Sequence, residues 1–129
     1  MYMRRDDLYL HDIIEAIDHI DAFLREDDHQ AFLKSEMVRS AVVQKLVIVG
    51  EAAARISEGL RNRNPQVPWP AIVAFRNILI HAYFGIDWDE VWKAAKVECP
   101  ILRGAGRPDR RGGIRPTGKR GRTMSLINL

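Results

Sequence analysis

The sequence predicts an all-α fold: an up-and-down antiparallel bundle of four main helices plus a short one, followed by a disordered basic C-terminal tail. Three observations carry this expectation. Apolar residues recur at helical spacing in separate stretches before residue 104. Clusters of proline, glycine, asparagine and aspartate fall between those stretches. From Gly104 to Arg122 the chain holds six of its nine glycines and two of its six prolines, and no helical or strand period survives. The chain therefore divides into a helical domain over residues 1–103 and a tail over residues 104–129.

From Asp6 to about Arg25, apolar residues fall at Leu8, Ile13, Ile14, Ile17, Ile20 and Leu24, one face of a helix with acids between. Asp6 and Asp7 suit its positive N-terminal end. Asp27-Asp28-His29-Gln30 breaks the pattern, and Asp28 can cap a short helix over Gln30–Lys34. Ser35 opens the next helix, whose run Val38–Ile56 is the most apolar in the chain. A helix apolar on nearly all sides belongs at the centre, packed on more than one face. Gly59 to Pro70 reads as a connection, since Pro65, Pro68 and Pro70 exclude a helix interior, while Pro70 suits a first helical turn. A fourth stretch runs from Trp69 or Pro70 to Ala82, with Gly85 ending it or relaxing its last turn. Asp87 can cap a last helix through Val97, acids early and lysines late, which Pro100 interrupts.

Length and charge narrow the function classes. At 129 residues the chain is one domain. No apolar run approaches the roughly 20 residues of a membrane span, and Met1-Tyr2-Met3-Arg4-Arg5 turns acidic with no apolar signal core behind it. A cytoplasmic protein without a membrane partner is expected. The net charge of +3 hides an asymmetry: residues 1–99 hold 12 Lys/Arg against 16 Asp/Glu, and residues 100–129 hold 8 Lys/Arg against one Asp. The basic character thus belongs to the tail and says nothing of the folded domain's affinity for nucleic acid. The single cysteine, Cys99, allows no internal disulfide and no cysteine zinc site, and reads as a core or helix-surface thiol.

The stretch Ala74 to Gly85 is where the pattern becomes unusual, because an apolar helical run carries Arg76, Asn77, His81 and Tyr83. Such groups need hydrogen-bond partners, solvent or a chemical role. On a helix Asn77 and His81 share a face, and Arg76 and Tyr83, seven apart, share a neighbouring one. The planar fork of arginine suits phosphate oxygens, and histidine can give or take a proton near neutral pH. Together they suffice for RNA cleavage without a metal, since RNA supplies its own 2′-hydroxyl nucleophile. The ordinary alternative is an arginine in a surface ion pair and a histidine satisfied at a helix end. A twist of about 140° between Arg76 and His81 also opposes close cooperation within one helix, whereas two copies meeting across a dimer axis would bring them into one cleft.

The unit Arg76-Asn77-Ile78-Leu79-Ile80-His81-Ala82-Tyr83 resembles the Arg-(polar)-x-x-x-His-x-Tyr signature of HEPN-domain proteins, specifically the HepT-like ribonuclease toxins. Arg4-Arg5-Asp6-Asp7-Leu8-Tyr9-Leu10-His11-Asp12-Ile13 is similar to the opening of that family. Ala41 to Ala52, ending in Gly50-Glu51-Ala52, resembles its second signature, and Val67-Pro68-Trp69-Pro70 and Asp87-Trp88-Asp89-Glu90-Val91-Trp92 flank the motif as they do there. The resemblance covers residues 1–103 and implies a HEPN-like bundle that dimerises, the motifs of both protomers lining a shared cleft. It further implies a metal-independent endoribonuclease toxin of a type II/VII-like toxin–antitoxin pair, with Arg76 and His81 as the catalytic pair and Asn77 as the supporting polar residue. Tyr83 matches the tyrosine that an MNT-type nucleotidyltransferase antitoxin AMPylates. The chain itself then needs no cofactor; ATP and Mg²⁺ belong to the partner. Bulky negative charge beside Arg76 would occupy the phosphate site and repel RNA. A non-catalytic HEPN module that regulates or presents nucleotide to a partner nucleotidyltransferase is the alternative.

Other candidates carry less. Glu51 could orient Arg76 or His81, although a pair with Arg55, four residues on, is the simpler account. His11, Glu15 and His19 lie on one stripe of the first helix, but no second His/Glu stripe faces them, so they read as a solvated face rather than a metal site. Trp69, Trp88 and Trp92 could stack bases, yet two of them, Trp88 and Trp92, sit four apart on a helix, which favours the core. The tail departs from the family pattern at Gly104. It is either an RNA-attracting arm or the product of a shifted reading frame, and the abrupt change of composition favours the second slightly.

Overall fold

The computed structural model describes residues 4–105. The basic tail from residue 106 onward lies outside the described residues. Those described are helical throughout their regular structure: α1 (Arg4–Leu24), α2 (His29–Lys34), α3 (Glu36–Arg55), α4 (Glu58–Arg63), α5 (Trp69–His81), a 3₁₀ turn (Tyr83–Gly85), α6 (Trp88–Lys93), a π turn (Ala94–Glu98) and α7 (Cys99–Ala105). With α6, the π turn and α7 running on as one rod, the four long helices form the expected bundle. Neighbouring helices run antiparallel. Asp6 at the start of α1 reaches Ser57 just past the end of α3. Arg76 of α5 crosses α3 at Gly50, and Arg103 and Lys96 of the last rod meet Asp18 and Leu24 of α1 in reverse order.

Local chemistry sets the helix ends. Asp28 accepts from the Ala31 amide at 2.8 Å and caps α2, Ser35 accepts from Val38 and caps α3, and Asp87 accepts from Asp89 and Glu90 and caps α6. The C-terminal carbonyls of α1 lie where its own last turn offers no cation. Lys96 supplies one from the last rod, its Nζ donating to the Leu24 carbonyl while it stands over the Trp92 ring.

As its composition predicts, α3 is central, burying Val42, Val43, Leu46, Val49, Gly50, Ala52 and Ala53 against α1 on one side and α5 on another. Each large apolar side chain enclosed this way contributes about 1.5–3 kcal/mol. The tryptophans belong to this packing. Trp69 is buried and donates from Nε1 to the Asn64 carbonyl, and Trp88 and Trp92 lie against the buried Phe32 ring.

The structure departs from the sequence expectations in four places. The segment after Ile56 is not all connection: Ser57 caps the short α4, accepting from the Leu60 amide and burying Leu60 completely. Asp6 sits in the first turn of α1, as expected, but its carboxylate turns inward. It is buried and accepts from both the Ser57 amide (2.9 Å) and the Ser57 hydroxyl (2.6 Å), so one carboxylate ties the first helix to the cap of the fourth. Pro100 does not interrupt the last helix. Proline lacks an N–H and its ring collides with the carbonyl four residues back. The π turn just before it, in which the Cys99 amide bonds to the Ala94 carbonyl, widens the helix and removes that collision. Helix α7 thus continues to Ala105, two residues into the stretch expected to be disordered. The fourth difference, at the end of α5, concerns the motif and is described with it.

Cys99 is buried beside a cavity that it lines with Val49 of α3 and Phe75 of α5, and burial, reinforced by the neighbouring Glu98 carboxylate, pushes its thiol up to about 12. The unfolded thiol ionises near 9.0, so the stability held by the neutral form is complete below that pH and is lost as pH rises toward 12. Thiol reagents at pH 8 should therefore leave Cys99 unlabelled in the native protein and label it only as denaturant unfolds the chain. Replacing Asp6 with alanine strands the Ser57 amide and should lower the unfolding free energy by about 1–3 kcal/mol. The exposed Asp7→Ala should shift the same denaturation midpoint little.

Candidate functional site

Helix α5 is built by two requirements that meet at Arg76. Its inner face, Trp69, Ile72, Phe75 and Leu79, is buried at spacings of three and four residues, as an amphipathic helix demands. Arg76 lies beside that face on the side toward α3, and Asn77, Ile80 and His81 lie outward and exposed. The polar residues of the motif therefore separate, as the helical twist requires. No hydrogen bond joins Arg76 to His81 within the chain.

Arg76 is fixed from two directions. A Cβ added to Gly50 of α3 would lie 2.2 Å from the Arg76 Cβ and 2.6 Å from its Cγ, distances that non-bonded carbon atoms do not adopt. The absence of a side chain at Gly50 is what allows α5 to cross α3 at this point. Glycine in a helix interior costs about 1 kcal/mol relative to alanine, and here that cost gives the arginine stem its place. One residue along, the Glu51 carboxylate accepts from Arg76 Nη1 at 2.8 Å. The Glu51 contact thus runs across to Arg76 rather than along α3 to Arg55. The Arg76 side chain is about one-fifth exposed, and its Nε is enclosed with no hydrogen-bond partner among the described residues. The stem and inner edge are locked, while Nη2 makes no hydrogen bond within the described residues. A guanidinium held this way can receive a phosphate oxygen without losing much side-chain freedom.

His81 is the last residue of α5. Its exposed ring makes no hydrogen bond, ion pair or ring contact among the described residues, which leaves both nitrogens open for proton transfer. Asn77, one turn back on the same stripe, is also exposed. Tyr83 does not share the stripe of Arg76. The helix stops at His81, Ala82 departs from helical geometry at φ −124°, ψ 38°, and Tyr83 begins the 3₁₀ turn. The reason is packing: the Tyr83 ring sits edge-on to Trp88 at 6.2 Å and to Phe84 at 5.9 Å, contacts that a continued helix would not make. Tyr83 remains exposed on the side of the bundle that carries His81.

Sequence reasoning named Gly50 only as part of the second family signature, gave it no structural role, and did not single out Arg39. Arg39 lies over the Trp88 ring at 5.1 Å and donates to the Leu33 carbonyl, bracing the aromatic layer behind Tyr83. The signal for Gly50 was a glycine within an otherwise strongly helical run; Arg39 carries no comparable signal. Among the described residues no group of three His, Cys, Asp or Glu side chains could hold a metal ion. His11 pairs with Glu15 at 3.0 Å and His19 stacks on Phe23. No helix of the described residues is long and apolar enough to cross a membrane.

The family model described as Ribonuclease HepT-like matches residues 13–105. A protein of Methanocaldococcus jannaschii that carries a provisional RNase name is 40% identical over 95 residues, 74% of this chain and 87% of that protein. The probable ribonuclease HepT of Thermococcus cleftensis is 41% identical over 96 residues, with 74% and 87% of the two chains covered. A provisionally named RNase of Caldanaerobacter subterraneus is 30% identical over 94 residues, covering 73% of this chain and 84% of its own. No solved structure matches the chain significantly.

The crossing at Gly50 makes a paired prediction. Gly50→Ala gains about 1 kcal/mol of helix propensity but forces two backbone-anchored atoms apart, an overpacking cost of about 1–3 kcal/mol. It should lower the thermal midpoint and displace Arg76. Gly85→Ala, where a Cβ meets nothing within 4 Å, should leave the unfolding free energy within about 0.5 kcal/mol of wild type. Calorimetry of the two variants checks this.

Proposed function

Because the chain belongs to the HepT-like ribonuclease family, we propose that it is a metal-independent endoribonuclease in which Arg76 holds the scissile phosphate and His81 moves the proton. The observation that carries the reading is an arginine buttressed on Glu51 five residues before a histidine left open at the end of the same helix. In the reaction the 2′-oxygen attacks the adjacent phosphorus, the P–O5′ bond breaks, and the proton leaves O2′ and reaches O5′. His81 serves one of those transfers and Arg76 offsets the charge that builds on the phosphate. Glu51 acts through Arg76 as a positioning residue, and Asn77 lies beside it as a supporting polar contact for the strand.

Within one chain Arg76 and His81 face different sides of α5, so the complete site is shared in a homodimer, the arginine of one protomer working with the histidine of its partner. The same geometry supports a second reading, a non-catalytic module that binds nucleotide phosphate and presents it to a nucleotidyltransferase. In the leading reading the protein is the toxin of a toxin–antitoxin pair. An MNT-type nucleotidyltransferase, using ATP and Mg²⁺, transfers AMP to the Tyr83 oxygen with release of pyrophosphate. The exposure of Tyr83 supports access to that oxygen, and the added phosphate would compete with RNA for arginine.

Purified protein incubated with RNA in EDTA should produce 2′,3′-cyclic phosphate ends. Arg76→Ala and His81→Ala should each reduce the rate by about a hundred- to ten-thousandfold. RNA left equally intact by wild type and both variants would leave the binding module as the surviving reading. Incubation with the nucleotidyltransferase and ATP should add AMP to wild type and not to Tyr83→Phe, read by mass spectrometry, and should silence only the former.

A further inference from the structure

We infer that the Phe84 ring is a stacking platform for an unpaired base of the RNA strand being cut, an inference that rests on the ribonuclease reading above. Phe84 is 103% exposed, a complete phenyl ring in water three residues after His81. It is not a loose side chain on an otherwise unstructured loop. Its ring meets Tyr83 at 5.9 Å and 88°, Tyr83 meets Trp88 at 6.2 Å and 84°, and Trp88 is held by Phe32 and by the Arg39 guanidinium. This ladder of edge-to-face contacts runs from the core to the surface and ends at Phe84. An edge-to-face contact leaves at least one face of the terminal ring free.

The surroundings favour a base over a protein partner. Around Gly85 the space is open, with nothing within 4 Å of where a Cβ would stand, so a flat group can slide alongside. Ile80, Tyr83 and Phe84 are the exposed apolar side chains of this segment, a narrow edge of the homodimer cleft proposed above rather than a second interface of its own, which uses roughly 20–30 residues a side. Their neighbours His81, Ala82 and Asp87 are small or polar and exposed. Unpaired RNA, in contrast, splays its bases and stacks them on single aromatic rings. With Arg76 and His81 holding the scissile phosphate, a base on Phe84 belongs to a nucleotide flanking the cut. The ring then selects single-stranded over paired substrate.

The test uses an RNA oligonucleotide with a mapped cleavage site and the same oligonucleotide with an abasic ribose beside that site. Stacking is present in ground and transition states alike, so Phe84→Ala should raise KM roughly ten- to a hundredfold and change kcat less than about twofold. Phe84→Trp should retain the wild-type KM. The abasic substrate should cost wild type the same factor and cost Phe84→Ala nothing further, because the two changes remove one contact. Thermal unfolding should move little, since the ring is fully exposed and its single contact is with Tyr83. An unchanged KM in Phe84→Ala, or abasic and alanine losses that multiply, would overturn the inference while leaving the ribonuclease reading intact. A lower particle mass for Phe84→Ala in light scattering would also overturn it, by assigning the ring to contact between copies. Wild type that cuts neither oligonucleotide would defeat the ribonuclease reading, and this inference with it.

Discussion

The crossing of α3 and α5 at Gly50 and Arg76 is the constraint on which the rest depends. Two helices approach until a missing methyl on one is filled by the side-chain stem of the other. Three consequences follow from that contact. It sets the register of α5 on α3, because sliding by one residue would bring a side chain where only glycine fits. It sets Glu51 within hydrogen-bond reach of the guanidinium. It also fixes how far the helix extends beyond the crossing before Ala82 breaks it, and hence where His81 stands. Packing and site chemistry are one arrangement at this position. The ion pair itself contributes little stability at its partial exposure; its effect is orientation.

The two halves of the motif are held differently. Arg76 is braced by backbone approach, a carboxylate and an enclosed Nε, which suits a group that binds a substrate charge in one geometry. His81 ends the helix and Tyr83 and Phe84 lie on the following turn, all three exposed, with the two rings backed by an aromatic layer anchored in Phe32, Trp88 and Trp92. On the proposed reading, a proton-transfer group and an acceptor of modification both require access that a buried residue lacks. The bundle provides rigidity and access five residues apart.

The main helices were legible because their apolar spacing is regular and their caps, Asp28, Ser35 and Asp87, are chemically explicit. Arg76, His81 and Tyr83 were legible as an outlier, polar groups in an apolar run. What the sequence did not show has physical reasons. Helix α4 is too short to display a period, and its cap competes with nearby proline signals. The inward turn of Asp6 depends on Ser57, 51 residues away, and no local rule reports a contact of that range. The continuation through Pro100 depends on a change of helical pitch before the proline. Tyr83 left the helical stripe because ring packing on Trp88 outweighed helix continuation, a tertiary effect acting on a residue assigned from local spacing. The sequence leaves Glu51 between two partners, because only the crossing of α5 over α3 brings Arg76 within its reach.

The π turn at Ala94–Glu98 places two helical segments of different rotational phase end to end in one rod. The segment before it is phased by the aromatic layer, with Trp88 and Trp92 facing Phe32. The segment after it is phased by the closing seam, where Cys99, Leu102 and Ala105 are buried. A uniform α-helix would tie those two alignments together, so any change demanded by one would rotate the other. The wider turn acts as a coupling between gears with different tooth counts. The aromatic end thereby faces Tyr83 and Phe32, while Cys99, Leu102 and Ala105 stay turned inward.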